Sequence, residues 1–326
     1  NSGSNAVVIY KVTGTANSCP SGVLEIHVTV EPAPSVNNQT AAPVCSDQPI
    51  GVVLNGSVNG VAVSEYEVIN IINNGLTASS GPASGTIDVN GLAGDAWTNN
   101  SGATVNVVYT IVPESASGCD GNAFTVTVPI LSAPLGSNQS MPICSRIALN
   151  HSLANQIVPP STGVTFTYSV SSSDQANVPA GPNRTVPSSA NITDTYINLT
   201  GAPVTITYTV TPIGANGCAG GVFLFEAVIN PEPVGYSVPG PEFTVCDEST
   251  TNILLISDIE GTTFTWTATH TGSVSGYTSP GSGTEIHDYL DVPFLGSGTV
   301  TYLVTPISPL GCQGQPFTII VHVSYV

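Results

Sequence analysis

Basic side chains are almost missing from this sequence. Lys11, Arg146 and Arg184 are the only three in 326 residues, against 21 Asp and Glu, for a net charge of −18. Nothing here can neutralise a run of phosphates, which excludes nucleic acid as a partner. The same shortage argues against anionic lipid head groups. Charged residues of both signs make up only 7%, where ordinary soluble domains carry about 25%. The surface must therefore be hydroxyls, amides and backbone, which lose little when salt screens charge. Trypsin-like proteases find few cleavage points on it. No stretch has helical periodicity, and the abundant Thr, Val, Gly and Pro work against one. No apolar run approaches the roughly 18–20 residues of a membrane-spanning helix. The signatures GxSxG, HExxH, P-loop and DxDxDG are missing too, and we expect no enzyme.

What the sequence does have is one block four times. It reads VNVVYTIVPESASGCDGNAFTVTVPI around Cys119, VTITYTVTPIGANGCAGGVFLFEAVI around Cys218 and TVTYLVTPISPLGCQGQPFTIIVHV around Cys312. A weaker copy, AVVIYKVTGTANSCPSGVLEIHVTV, surrounds Cys19. Successive cysteines lie 100, 99 and 94 residues apart. That period exceeds the roughly 20–50 residues of a solenoid unit and suits whole domains in tandem. Apolar and polar residues alternate on both sides of each Cys, as in Val204, Ile206, Tyr208 and Val210 against Thr205, Thr207 and Thr209. Period two with β-branched residues predicts two strands with one buried face. The Gly-rich turn between them makes a hairpin. Tyr109, Tyr208 and Tyr302, ten residues before the Cys, and Phe124, Phe223 and Phe317, five after it, are expected in cores. Tyr10 and Leu24 hold the corresponding places in the first copy.

The other half of each repeat opens on a second Cys: Cys45, Cys144 and Cys246. An apolar strand follows (51–54, 253–256), then one centred on Tyr66, Tyr168 or Trp266, expected in the sheet facing the hairpin. Several short strands, two cysteines and a central aromatic per 100 residues predict an all-β fold, a rod-like tandem array of immunoglobulin-like β-sandwiches. We place the modules at residues 32–131, 132–231 and 232–326, preceded by the closing hairpin of an incomplete repeat at 1–31. The sequence thus opens inside a repeat, and we expect a window on a longer polypeptide. The linkers, Glu31–Pro34, Ser132–Pro134 and Pro231–Pro233, carry Pro, which stiffens them.

The paired cysteines are expected to close each repeat as Cys45–Cys119, Cys144–Cys218 and Cys246–Cys312, at separations of 74, 74 and 66 residues. Metal ligation is the competing chemistry, but there is no CxxC and no His at matching spacing. Disulfides place the chain outside the cytoplasm. Cys19 is left over.

Other candidates do not recur from repeat to repeat. His27, His151, His270, His287 and His322 occupy unrelated positions. Glu65 and Glu67 share an outward strand face beside Tyr66, where a solvated face is the simpler reading. No motif requires a cofactor. Calcium is the one candidate, at Glu242, Asp247 and Glu248 or at Glu285, Asp288 and Asp291, with scattered surface acids as the alternative. Sequons stand at Asn38, Asn55, Asn99, Asn138, Asn150, Asn183, Asn191 and Asn198 and matter only in a host that glycosylates them.

The run Tyr208–Pro212, the Gly217–Gly220 turn and the Pro231–Pro233 linker resemble the PKD-like, Ig-like repeats of giant surface adhesins of Bacteroidetes. Thr110–Pro113 and Ser132–Pro134 depart from that pattern. The resemblance covers the chain repeat by repeat. It implies export by type IX secretion and display as an outer-membrane-attached surface filament, as in the mobile adhesins of gliding bacteria. The implied partners are neighbouring repeats of the same longer chain, the anchoring and secretion machinery, and extracellular polysaccharide. The implied task is mechanical: a non-enzymatic stalk. The alternative is a set of carbohydrate-binding accessory modules of a polysaccharide-degrading enzyme, which would need an exposed aromatic platform.

Overall fold

The computed structural model describes residues 3–188 and 191–325. The structure is all-β. Its only helical element among the described residues is a 3-10 turn at Leu153–Gln156. The chain forms two compact units. One comprises Asn1–Gly136, Ile157–Thr165 and Pro212–Gly221; the other comprises Ser137–Gln156, Phe166–Thr211 and Val222–Val326.

In the first unit the principal sheet is built on the antiparallel hairpin Val105–Ser115 with Phe124–Leu131. Val63–Ile72 pairs on one side of the hairpin, followed by Gly85–Ile87. On the other side the short strands Gln39–Thr40 and Val44–Cys45 run parallel to Phe124–Leu131. Strict alternation buries every second residue of Phe124–Leu131, as the period-two pattern requires. The facing layer is fragmentary: Thr77–Ser80 pairs with Ala96–Thr98, and residues 50–54 lie alongside. The expected strand at 51–54 is not a regular ladder member. Ile50, Val52 and Leu54 are buried while Val53 is exposed, so the alternation is real. Separate backbone bonds hold the segment, such as Ile50 N–H to Asp95 O at 2.8 Å and Leu54 N–H to Val89 O at 2.9 Å.

The second unit repeats this scheme twice. One sheet runs Gln139–Cys144, Phe223–Asn230, Val204–Ile213, Thr165–Ser172, Arg184–Ser188; the other runs Glu242–Cys246, Phe317–Ser324, Ser297–Ile307, Thr263–Gly272, Gly281–Gly283. In the last repeat the facing segment is a true strand, Ile253–Ser257.

Tyr109, Tyr208 and Tyr302 are fully buried, and Tyr66, Tyr168 and Trp266 nearly so. The two sets do not face each other across the sandwich, contrary to expectation. Tyr66 pairs with Pro113 on the strand that carries Tyr109, and Trp266 pairs with Val304 on the strand that carries Tyr302. Neighbouring strands of one sheet point their in-facing residues at the same core, so sequence alternation alone does not tell one sheet from two. Phe124 and Phe223 are buried as expected, and Phe317 is partly so. Tyr10 and Leu24 are exposed. Their hairpin, Ala6–Val12 with Leu24–Val30, is exposed along its whole length.

Candidate functional site

The chemistry of this chain lies in its turns and strand ends, and the turns are built alike. In Gly-Cys-x-Gly the first glycine takes a positive φ: +77° at Gly118, +84° at Gly217 and +79° at Gly311. An L side chain is strained there. The second glycine is required for another reason. A Cβ on Gly121, Gly220 or Gly314 would stand 2.1, 1.8 or 1.9 Å from the carbonyl oxygen of Pro34, Pro134 or Pro233. The linker prolines are buried and their carbonyls lie against the turn of their own repeat, so they form a seam. In the middle repeat the turn also holds the linker directly, with Asn216 Nδ2–H donating to Ser132 O at 2.8 Å.

The other cysteine of each repeat sits at the opposite end of the sheet. Cys45, Cys144 and Cys246 pair in parallel with Leu131, Asn230 and Ser324, the last residues of the closing strands. The turn cysteines precede the first residues of those same strands. An eight-residue strand at about 3.3 Å per residue keeps the two cysteines of one repeat about 25 Å apart. A disulfide needs Cα atoms about 5.5 Å apart.

The expected pairs within repeats are therefore not formed. The structure joins Cys45 to Cys218 and Cys144 to Cys312, with Cα–Cα distances of 5.5 and 5.4 Å and sequence separations of 173 and 168 residues. The strand-end cysteine of one repeat meets the turn cysteine of the next. Cys218 and Cys312 are completely buried by this contact. Cys119 is half-buried and free, and Cys246 and Cys19 are exposed and free. Beside the turn that carries Cys218 lies a cleft of about 400 Å³ lined by Gly102, Ala103, Ser132, Pro159, Ala215 and Asn216 among others. It carries no titratable side chain.

A second recurring device was legible in the sequence and was missed. Tyr109, Tyr208 and Tyr302 each donate a hydrogen bond to an aspartate fourteen residues earlier: Asp95 at 2.8 Å, Asp194 at 2.6 Å and Asp288 at 2.6 Å. The constant spacing is the signal that could have found it. Asp95 also accepts from Ala83 N–H, and Asp288 accepts from both Thr278 N–H and Thr278 Oγ1–H. Burial pushes all three phenols far above the ordinary tyrosine range, reinforced by the adjacent carboxylate. Burial also raises the Asp95 carboxyl, against the hydrogen bonds from Ala83 and Tyr109.

The acids considered for calcium are not brought together. Asp288 is spent on Tyr302 and Thr278, Glu285 on His287, Glu242 on His322, and Asp247 accepts from Val292 N–H. Among the described residues no three His, Cys, Asp or Glu side chains converge as a metal set. Glu65 lies beside Glu114, whose carboxyl it raises by hydrogen bonding. Glu67 stands exposed on the same strand. Neither faces a cavity with a partnered base. His151 stacks on Phe225 with ring centroids 3.8 Å apart and meets Gln156 at 3.0 Å. His270 meets the Tyr277 hydroxyl. His27 is exposed beside Glu25. Two sequon residues, Asn99 and Asn198, are completely buried. Each Nδ2–H group donates to two backbone carbonyls, Ala103 and Ile130 for Asn99, Ala202 and Ile229 for Asn198. Their own N–H groups bond the hydroxyls of Ser46 and Ser145, the residues after Cys45 and Cys144, and a folded chain presents neither asparagine for glycosylation.

The PKD-like domain model matches residues 42–134, 141–233 and 243–325, well over half of the chain. The chain belongs to the PKD-like domain family. No curated protein sequence matches it. Among solved structures it is similar to a multidomain fragment of Drosophila N-cadherin, at 13% identity over 89% of this chain and 75% of that one, with a TM-score of 0.24. An I-band fragment of titin matches at 9% identity over 89% and 97% of the two chains, TM-score 0.31. Extracellular cadherin domains of a gamma protocadherin match at 12% identity over 98% and 83%, TM-score 0.30. Three PKD-like domains in tandem and two disulfides describe an extracellular structural module, in keeping with the oxidising compartment that disulfides require. No helix among the described residues is long and apolar enough to cross a membrane.

Proposed function

We propose that this chain is a load-bearing stalk segment of a large cell-surface adhesin, non-enzymatic, holding a distal adhesive part away from the cell. The observation that carries the reading is the connectivity of the disulfides. Each staple crosses from one repeat to the next, so each junction has two covalent connections, the linker and the sulfur bridge. A flexible tether gains nothing from the second; a spacer under tension keeps its junctions closed by it. Export by type IX secretion, attachment at the outer membrane and a role in gliding follow from the resemblance to Bacteroidetes adhesin repeats and are part of the proposal. The alternative of carbohydrate-binding modules lacks support. In the three complete repeats the recurring aromatics are buried, Phe317 partly so, leaving no repeated platform for a sugar ring.

The test is mechanical. The chain is pulled by its ends in single-molecule experiments, oxidised and then reduced. A stalk with closed junctions yields short extension when oxidised and a large gain on reduction. Equal extension in both states, or hydrolysis of a polysaccharide by this chain, would overturn the reading.

A further inference from the structure

The two bridges share a register that leaves one place unfilled at the last repeat. Cys246 stands where Cys45 and Cys144 stand. All three pair with the last residue of the closing strand. In all three the following residue donates its N–H to that same partner: Ser46 to Leu131, Ser145 to Asn230, Asp247 to Ser324, at 2.9–3.0 Å. Cys45 and Cys144 are occupied by the turn cysteine of another repeat, whereas Cys246 is exposed.

The surface beside Cys246 carries an independent sign. In the first repeat the loop 100–104 lies against the following repeat: it shares a cleft with Pro159, and a Cβ added at Gly102 would stand 4.0 Å from the Pro159 ring. Counting from Asp95, Asp194 and Asp288, the counterpart of Gly102 is Gly201 in the middle repeat and Leu295 in the last. Gly102 and Gly201 take φ of +81° and +75°, and Leu295 is held at +59°. A leucine in that conformation is strained. Among the described residues it is also the most exposed large apolar one, 78%, with Phe294 next at 75%. Phe294 packs edge-on against Tyr325, ring centroids 5.0 Å apart, and the Tyr325 N–H bonds to Gly296 O. An apolar patch on a strained loop thus stands beside an open thiol, on the face that in the first repeat receives its neighbour.

We propose that this end of the last repeat is a seat for the Gly-Cys-x-Gly turn of another PKD-like repeat, with Phe294 and Leu295 as its apolar floor and Cys246 as its covalent latch. The half-buried Cys119 is the matching plug, a turn cysteine that no strand end has taken. Closure is thiol–disulfide exchange with an external disulfide oxidant, protein or small molecule. The Cys246 thiolate attacks the oxidant's S–S bond and expels one thiolate. The incoming turn thiolate then attacks the Cys246 sulfur and expels the second. Two protein thiols become one disulfide and the oxidant becomes two thiols. The contact is heterologous, so copies joined this way add head to tail and do not close as symmetric pairs.

The test uses the whole chain in two complementary versions, both carrying Cys19→Ser. One also carries Cys119→Ser and keeps the seat; the other carries Cys246→Ser and keeps the plug. They are mixed with reduced and oxidised glutathione, in enough salt to screen the repulsion of two copies of charge −18. Retention of the Cys45–Cys218 and Cys144–Cys312 bonds serves as the folding control. The expected result is a covalent dimer in the mixture alone, mapped to Cys246–Cys119. Adding Phe294→Ser and Leu295→Gly to the seat version should lower its yield about tenfold, the equivalent of about 1.4 kcal/mol. A Cys246–Cys246 dimer from the seat version by itself would overturn the proposal. So would no dimer while Cys246 alkylates readily, or a yield indifferent to the Phe294 and Leu295 changes. Non-reducing peptide mapping of the polypeptide as isolated from cells separates the two sources of the turn: a Gly-Cys-x-Gly peptide from elsewhere in one chain, or the Cys119 peptide of a second copy. Cys246 bonded to any other sequence there would overturn the proposal as well.

Discussion

Each repeat keeps one phenol and one carboxylate together in its core. A buried Asp is costly unless its oxygens are filled; here a Tyr hydroxyl reaches each carboxylate, and backbone N–H groups add to the buried Asp95 and Asp288. The consequence is a dependence on alkaline pH. The folded chain holds the protons of Tyr109, Tyr208 and Tyr302 past the point where the unfolded chain releases them. Their contribution is therefore intact below about pH 10 and falls as pH rises above it, by about 1.4 kcal/mol per pH unit for each phenol. Tyr302→Phe should reduce that slope by one phenol's share. Below pH 10 it should cost about 1–3 kcal/mol, because Asp288 loses a donor. Denaturant unfolding between pH 8 and 12 measures both effects, and a Tyr302→Phe profile parallel to the parent would contradict the assignment. Asp95 works the same way at acid pH. Its raised carboxyl favours the fold while protonated, so the first repeat should lose stability as pH rises through that titration, a loss that Asp95→Asn removes. Arg146, one of only three basic residues, has a different task. Its Nε–H lies 2.7 Å from the nearly buried Glu232 carboxylate of the Pro231–Pro233 linker. Arg146→Ala should destabilise the fold, because it leaves the Glu232 carboxylate buried without its charged partner; denaturant unfolding measures the loss.

At the scale of the element, the turn decides more than the strands. Gly220→Ala places a Cβ 1.8 Å from the Pro134 carbonyl oxygen, backbone that cannot swing away. We expect a loss of about 2–4 kcal/mol and slower closure of Cys45–Cys218 on reoxidation. Gly221→Ala, next door, meets nothing within 4 Å and should stay within about 0.5 kcal/mol. Thermal unfolding of the two variants side by side checks the contrast, and equal losses would mean that the linker is not seated on the turn. Trp266 tests the sheet. It is 6% exposed and lies so close beneath Gly281 that a Cβ there would reach the indole at 2.3 Å. Trp266→Ala should cost about 3–5 kcal/mol. Its Nε1–H has no protein partner, so Trp266→Phe should cost far less than the alanine change, an ordering that calorimetry can reverse or uphold.

At the scale of the molecule the two bridges overlap. The segment from Cys144 to Cys218 lies inside both covalent loops. With both bonds closed, the shortest covalent path from Cys45 to Cys312 crosses to Cys218, returns to Cys144 and crosses again. That path spans 74 residues, against 267 along the reduced chain. At about 3.4 Å per residue the fully stretched spans are about 250 Å and about 900 Å. Pulling records should therefore gain about 650 Å on reduction. Ser at Cys45 alone should restore only part of it, because the path through Cys144 and Cys312 still skips most of the last two repeats. A gain confined to separate domains would speak for bridges within repeats and against this connectivity.

The strands, the hairpins with their Gly-rich turns and the buried tyrosines were legible in the residues. They rest on local rules: alternation by two, positive φ, and identical blocks that fold identically. The disulfide partners were not legible, although all the cysteines were. Similar loop lengths within each repeat put Cys45 with Cys119, but an eight-residue strand holds them at opposite ends of one sheet, and the turn of the next repeat arrives at the end where Cys45 waits. The same limit explains why Tyr66 and Trp266 fell in the sheet of the hairpin and not opposite it. Alternation says which side chains point inward and is silent on which strand lies alongside. Sequence by itself determined what each repeat is made of. Which repeat is bonded to which is a matter of distance across the fold, and only the tertiary structure decided it.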